Sequence, residues 1–116
     1  MIKTVSLIQR NPELTPEEFR DYWENTHVPM VKAALPGLVH YCGCFPVEDD
    51  GPALPGEAYA CDAILELGWP DVQTMNRDMS SPEFNTAERE ASSARMMDLR
   101  RLKTILLEVV DVELTG

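Results

Sequence analysis

The chain opens with a two-residue alternation. Between residues 2 and 9, Val5 and Leu7 point one way and Thr4, Ser6 and Ile8 the other, which predicts a strand with one clearly apolar face and one mixed face. A connector, Asn11-Pro12-Glu13-Leu14, leads into Thr15-Pro16-Glu17-Glu18. This is a capping box. The Thr15 hydroxyl can accept from the Glu18 amide, the Glu18 carboxylate can reach back, and Pro16 stands at a first helical position that needs no donor. The period then changes to three and four: Phe19, Tyr22, Trp23, Thr26, His27, Met30, Val31 and Ala34 make one stripe of an amphipathic helix. Pro29 lies inside that stripe, which predicts a kink or break just past His27, and Pro36-Gly37 ends the element.

Alternation returns in residues 38–47, with Val39, Tyr41, Gly43 and Phe45 on one face and His40, Cys42 and Cys44 on the other. Residues 48–57 read as an exposed acidic loop rich in proline and glycine. A third strand is expected over 58–67, with Tyr59, Cys61, Ala63, Leu65 and Leu67 opposite Asp62, Ile64 and Glu66. Pro70-Asp71 opens a short helix to about Asp78, Ser81-Pro82-Glu83 restarts helix to about Leu99, and residues 103–113 form a last strand. The order β, α, β, β, α, β predicts an α+β, ferredoxin-like domain over residues 1–116: an antiparallel four-stranded sheet with its helices on one face. The other face then lacks a cover, so a homodimer is expected.

Charge and composition narrow the partners. The formal net charge of −10 repels phosphate backbones and anionic lipid, so neither nucleic acid nor membrane is an expected partner. No apolar run approaches the roughly 20 residues of a membrane span, and the N-terminus reads as a strand rather than a signal peptide. Three cysteines, Cys42, Cys44 and Cys61, suit a reducing cytoplasm better than a disulfide framework.

Leu14-Thr15-Pro16-Glu17-Glu18-Phe19-Arg20-Asp21-Tyr22-Trp23, followed by His27-Val28-Pro29 and Leu35-Pro36-Gly37-Leu38, resembles the start of the EthD family. Asp62 to Leu67 is similar to that family's third strand, Ser81-Pro82-Glu83-Phe84 to its second helical region, and Glu108-Val109-Val110 to its closing strand. The resemblance implies a dimeric α/β barrel of two ferredoxin-like sheets. It also implies chemistry without a cofactor on small aromatic, lactone or polyketide-like compounds. Isomerase-type relatives carry a cysteine where this chain has Leu67, which argues against a thiol mechanism there.

The candidate site follows from both readings. His27 lies at i+4 steps from Phe19 and Trp23, so its imidazole points to the helix–sheet interface, where it can act as acid or base or simply cap a carbonyl. Tyr41 is a second catalytic candidate, holding a substrate oxygen, and Asp62 a third. Tyr22, Trp23, Tyr59, Trp69 and Leu67 are expected to line a pocket for a small hydrophobic or aromatic ligand. Asp62 and Glu66 share a strand face, where they can form a buried acid pair or a polar network between subunits, the latter favoured for Glu66. His40, Cys42 and Cys44 make a His-x-Cys-x-Cys face, but same-face strand residues lie about 7 Å apart, so no metal site is expected. The function expected is an isomerase, cyclase or lyase without a cofactor. A cofactor-free oxygenase of an electron-rich phenol and a non-enzymatic binding or accessory protein are the alternatives.

Overall fold

The first alternating segment forms β1, Ile2–Ile8, and lies in the middle of the sheet rather than at its edge. A computed structural model of the chain describes residues 1–48 and 54–115. After β1 come α1 (Pro16–Tyr22), a π-helical turn (Trp23–His27), α2 (Val28–Ala34), β2 (His40–Cys44) and β3 (Ala63–Trp69). Then follow α3 (Val72–Met79), α4 (Ala87–Met96), a 3-10 turn (Leu99–Arg101) and β4 (Lys103–Glu108). The strands lie in the order β2-β3-β1-β4, every neighbouring pair antiparallel. This is the α+β, ferredoxin-like βαββαβ arrangement expected, with the helices on one face.

Register assigns the faces. Ile2, Thr4, Ser6 and Ile8 share a side with Ala63, Leu65, Leu67 and Trp69, and this side meets the helices. Lys3, Val5 and Leu7 share the other, open side with Ile64, Glu66, Ile105 and Leu107. The more apolar face of β1 therefore turns away from the chain's own helices. The core has two parts. One gathers Ile8, Phe19, Trp23, Ala63, Leu65, Met96 and Met97; the other packs Val31 and Leu35 on Trp69.

Three strands differ in extent from expectation, two of them for one reason. β1 offers seven paired residues, and its partners can be no longer. Ile8 pairs with Ala63, so β3 begins there rather than at residue 58, and it runs on to Trp69 opposite Ile2. β4 stops at Glu108, also opposite Ile2, instead of reaching 113. β2 is shorter still, His40–Cys44, paired with Ile64 to Gly68 of β3. The loop predicted over 48–57 falls partly on residues 49–53, which lie outside the described residues; Leu54 to Glu57 are exposed.

The second helical region also starts late. Ser81 to Asn85 form a turn in which the Ser81 hydroxyl accepts from the Phe84 amide, and α4 begins only after Thr86, whose hydroxyl accepts from the Arg89 amide. No helix among the described residues is long and apolar enough to cross a membrane.

Candidate active site

The capping box forms as the sequence predicts, with Thr15 and Glu18 bonded reciprocally at 2.9 and 3.1 Å. The consequence of Pro29 is different. In a regular helix its ring would collide with the carbonyl four residues back, and its missing N–H would orphan that carbonyl. The chain resolves this by widening the preceding turn: the Val28 amide donates to Trp23 O, five residues back, and helix resumes at Val28. No break follows His27. The imidazole closes the widened turn, and such turns concentrate at functional positions.

His27 is 6% exposed. Its Nδ1 is 2.9 Å from Ser92 Oγ on α4, and that hydroxyl is 3.1 Å from the Tyr22 phenol. Ser92 thus anchors the ring through one nitrogen. The other, Nε2, makes no hydrogen bond among the described residues. The residue borders a cavity of about 110 Å³ between helices and sheet. Burial, and then the nearby Arg89 charge, push the imidazole down from 6.5 to about 4, so the ring is neutral near pH 7.

Arg89 supplies the positive end of this cavity. Its Nε donates to Phe84 O at 3.0 Å, and its guanidinium stacks 4.0 Å from the Phe84 ring centroid. It has no carboxylate partner among the described residues. Ser6, Ser93 and Tyr41 add polar atoms; Ile8, Val31, Leu65, Leu67 and Met97 make the wall apolar. Burial raises the Tyr41 phenol to about 12, so it remains a neutral donor.

Of the residues expected at the site, His27, Tyr41 and Leu67 meet at this cavity. Tyr22 stands behind it, reaching His27 through Ser92. Trp23 crosses Tyr41 edge-on at 5.9 Å and borders a separate surface pocket of about 460 Å³ with Lys32, Leu38 and His40, so Tyr41 is a wall common to both. The Trp23 indole N–H is buried against the Tyr41 hydroxyl without an aligned hydrogen bond.

Trp69, Tyr59 and Asp62 lie elsewhere. Trp69 is fully buried, its indole N–H donating to Asp78 Oδ2 at 2.9 Å. Tyr59 is 60% exposed and precedes β3, because the ladder ends at Ala63. Asp62 accepts from the Arg10 amide at 2.8 Å and lies 3.3 Å from Arg10 Nε, which fixes the end of β1. Glu66 is on the open face, bonded to Lys3 and His40. Asp62 and Glu66 therefore do not form an acid pair.

Sequence reading missed Ser6, Arg89, Ser92 and Ser93. The available signal was on α4, where Ser92 and Ser93 sit one turn after Arg89. Small polar residues on a buried helical face leave room that large apolar ones would fill.

A family model described as EthD domain matches residues 11–100. The chain belongs to the EthD family. An ethyl tert-butyl ether D (EthD) family protein from Bacillus halodurans resembles this EthD chain with a TM-score of 0.65 and 20% identity, over 95% of this chain and 99% of that one. A dimeric ferredoxin-like protein of unknown function from Thermobifida fusca matches with a TM-score of 0.58 and 18% identity, over 93% and 90%. A cofactor-independent oxygenase from Streptomyces nogalater, in a mutant form, matches with a TM-score of 0.61 and 14% identity, over 96% and 94%. At these identities the likeness concerns the fold. No curated protein matches the sequence.

Proposed function

We propose that this EthD protein is an enzyme that moves a proton on a small aromatic or lactone-like compound, or on the reacting end of a polyketide-like one, with His27 as the base and without a cofactor. The observation that carries this reading is the presence at one cavity of a neutral buried imidazole, held by Ser92 through Nδ1, and of the Arg89 guanidinium, which has no carboxylate partner among the described residues. Nε2 takes a proton from a carbon or phenol next to a carbonyl. The oxyanion that develops faces Arg89, with the Tyr41 phenol as a second donor, and the imidazolium returns the proton elsewhere. Isomerisation, cyclisation and lyase chemistry share this step.

Magnitudes make His27 depend on Arg89 and on the substrate's own acidity. A base whose conjugate acid titrates near 4 takes a proton from a phenol-like group, pKa about 10, at a cost of roughly 8 kcal/mol. One well-placed donor to an oxyanion returns about 3–4 kcal/mol, and more in a water-poor site. The substrate must therefore be an activated acid, and its anion must meet the guanidinium. The cavity of about 110 Å³ suits one ring at most, since apolar cavities near 150 Å³ hold benzene.

Turnover of enolisable lactones and phenols by wild type, His27→Ala, Arg89→Met and Tyr41→Phe tests the proposal. Loss of at least about 100-fold in kcat/KM is expected for His27→Ala, with a comparable loss for Arg89→Met. Full activity in His27→Ala overturns the acid–base role. A retained ligand that no variant or wild type turns over supports a binding or accessory protein instead.

A second reading, a cofactor-free oxygenase, is favoured by the similarity to the Streptomyces nogalater oxygenase. The anion made by His27 would then combine with dioxygen, and oxygen uptake that depends on His27 distinguishes it. We propose further that the protein is a homodimer; the Thermobifida fusca protein of similar fold is described as dimeric. The apolar open face supports this, with Ile105 and Leu107 51% and 39% exposed there. Free thiols at Cys42, Cys44 and Cys61 suit the cytoplasm.

A further inference from the structure

The open face of the sheet carries a cluster unconnected with the His27 cavity. Cys42 on β2 and Glu66 on β3 are direct cross-strand partners, and His40 is two residues before Cys42 on the same face. Strand spacing alone would hold the His40 and Cys42 side chains about 7 Å apart. What changes this is the residue opposite His40. It is Gly68, and a Cβ there would stand 2.8 Å from the His40 Cβ. With that space free, the imidazole leans along the sheet. Its Nε2 comes 2.9 Å from Glu66 Oε1 and 3.5 Å from Cys42 Sγ. One donor atom from each of the three residues lies within 4.8 Å of the others.

We propose that His40, Cys42 and Glu66 form a zinc site that ties β2 to β3. A tetrahedral zinc ion, with bonds of about 2.3 Å to sulfur and about 2.0–2.1 Å to nitrogen, sets its sulfur and nitrogen ligands about 3.5 Å apart. That is the separation already present. The imidazole and carboxylate need part by only about 0.4 Å to accept the same ion. A thiolate with an imidazole and a carboxylate favours zinc over magnesium or calcium, which prefer oxygen alone. The fourth position is left for water or for the exposed Cys44 thiol, the next residue on this face of β2.

Among the described residues, Lys3 is the cation that competes at this place. Its ammonium lies 2.9 Å from Glu66 Oε1, and its side chain is 23% exposed. A long, partly solvated side chain can swing outward when a divalent ion takes the carboxylate. The Lys3, Glu66 and His40 network would then be the metal-free arrangement of the same groups.

Calorimetric titration of the reduced, full-length protein with zinc chloride tests the site, alongside cobalt(II) as a spectroscopic probe. One ion per chain is expected, with a thiolate-to-cobalt charge-transfer band and a melting temperature that rises with zinc. His40→Ala and Cys42→Ser should weaken binding by more than the roughly 10–100-fold that loss of an outer-shell partner costs. Lys3→Met should tighten it, and Cys61→Ser should leave it unchanged. Circular dichroism checks that each variant is folded. If Cys42→Ser does not fold, a charge-transfer band that survives in both Cys44→Ser and Cys61→Ser still identifies Cys42. No zinc uptake by the wild type, or uptake and a cobalt band that persist in folded Cys42→Ser, overturns the proposal.

Discussion

His27 is held where a charged imidazole is disfavoured, and this has a consequence for stability as well as for catalysis. Above pH 6.5 the ring is neutral whether the chain is folded or not. Between 6.5 and about 4 the unfolded chain takes up a proton that the folded one refuses, so stability falls as pH falls. Below about 4 both states are protonated and the loss is complete. The shift corresponds to about 3 kcal/mol at most, and to about 2 kcal/mol once solvent reaching the cavity side of the ring is counted. Urea denaturation from pH 7 to pH 4 should show this extra loss in wild type relative to His27→Gln. In turnover, kcat/KM should stay level through pH 6 and fall only towards pH 4. A fall centred at 6.5 would mean that the ring is solvated and ordinary.

At the scale of elements, Asp78 on α3 joins what the helices and sheet would otherwise leave apart. Its Oδ2 accepts from the Gly37 amide at 2.8 Å and from the Trp69 indole at 2.9 Å, and the residue is 3% exposed. One carboxylate thus secures the turn between α2 and β2 against the end of β3. Asp78→Ala orphans two donors, one of them in the core, and should cost about 2–4 kcal/mol in chemical denaturation. Asp78→Asn keeps an acceptor and should cost less. None of this was legible in the sequence, where Asp78 merely closes a short helix. Local signals were legible: the capping box, the stripe from Phe19 to Ala34 and the alternation of Leu65, Glu66 and Leu67. Where an element stops depends on its partner, as the strands cut to the length of β1 show. The π turn was hidden for a related reason. Pro29 announces a conflict, but whether the chain breaks or widens depends on what holds Trp23 and His27, and Phe45, Tyr41 and Ser92 are distant in sequence.

For the whole molecule, apolar burial and charge oppose each other. Val5, Leu7 and Ile64 lie on the open face, beside Ile105 and Leu107 of β4, which are 51% and 39% exposed. A second copy covering this face would bury them, but each copy brings a net charge of −10. Salt screens that repulsion over about 10 Å at 0.1 M, so the dimer should tighten as salt is raised. Ile105→Lys separates the two effects. It lowers the negative charge of each copy, which by itself favours association, while removing apolar contact worth about 1–2 kcal/mol per chain. If burial holds the copies together, this variant should dissociate at least about tenfold more readily in analytical ultracentrifugation, despite its weaker repulsion. Tighter association of Ile105→Lys would show instead that the copies meet elsewhere and that charge alone limits them.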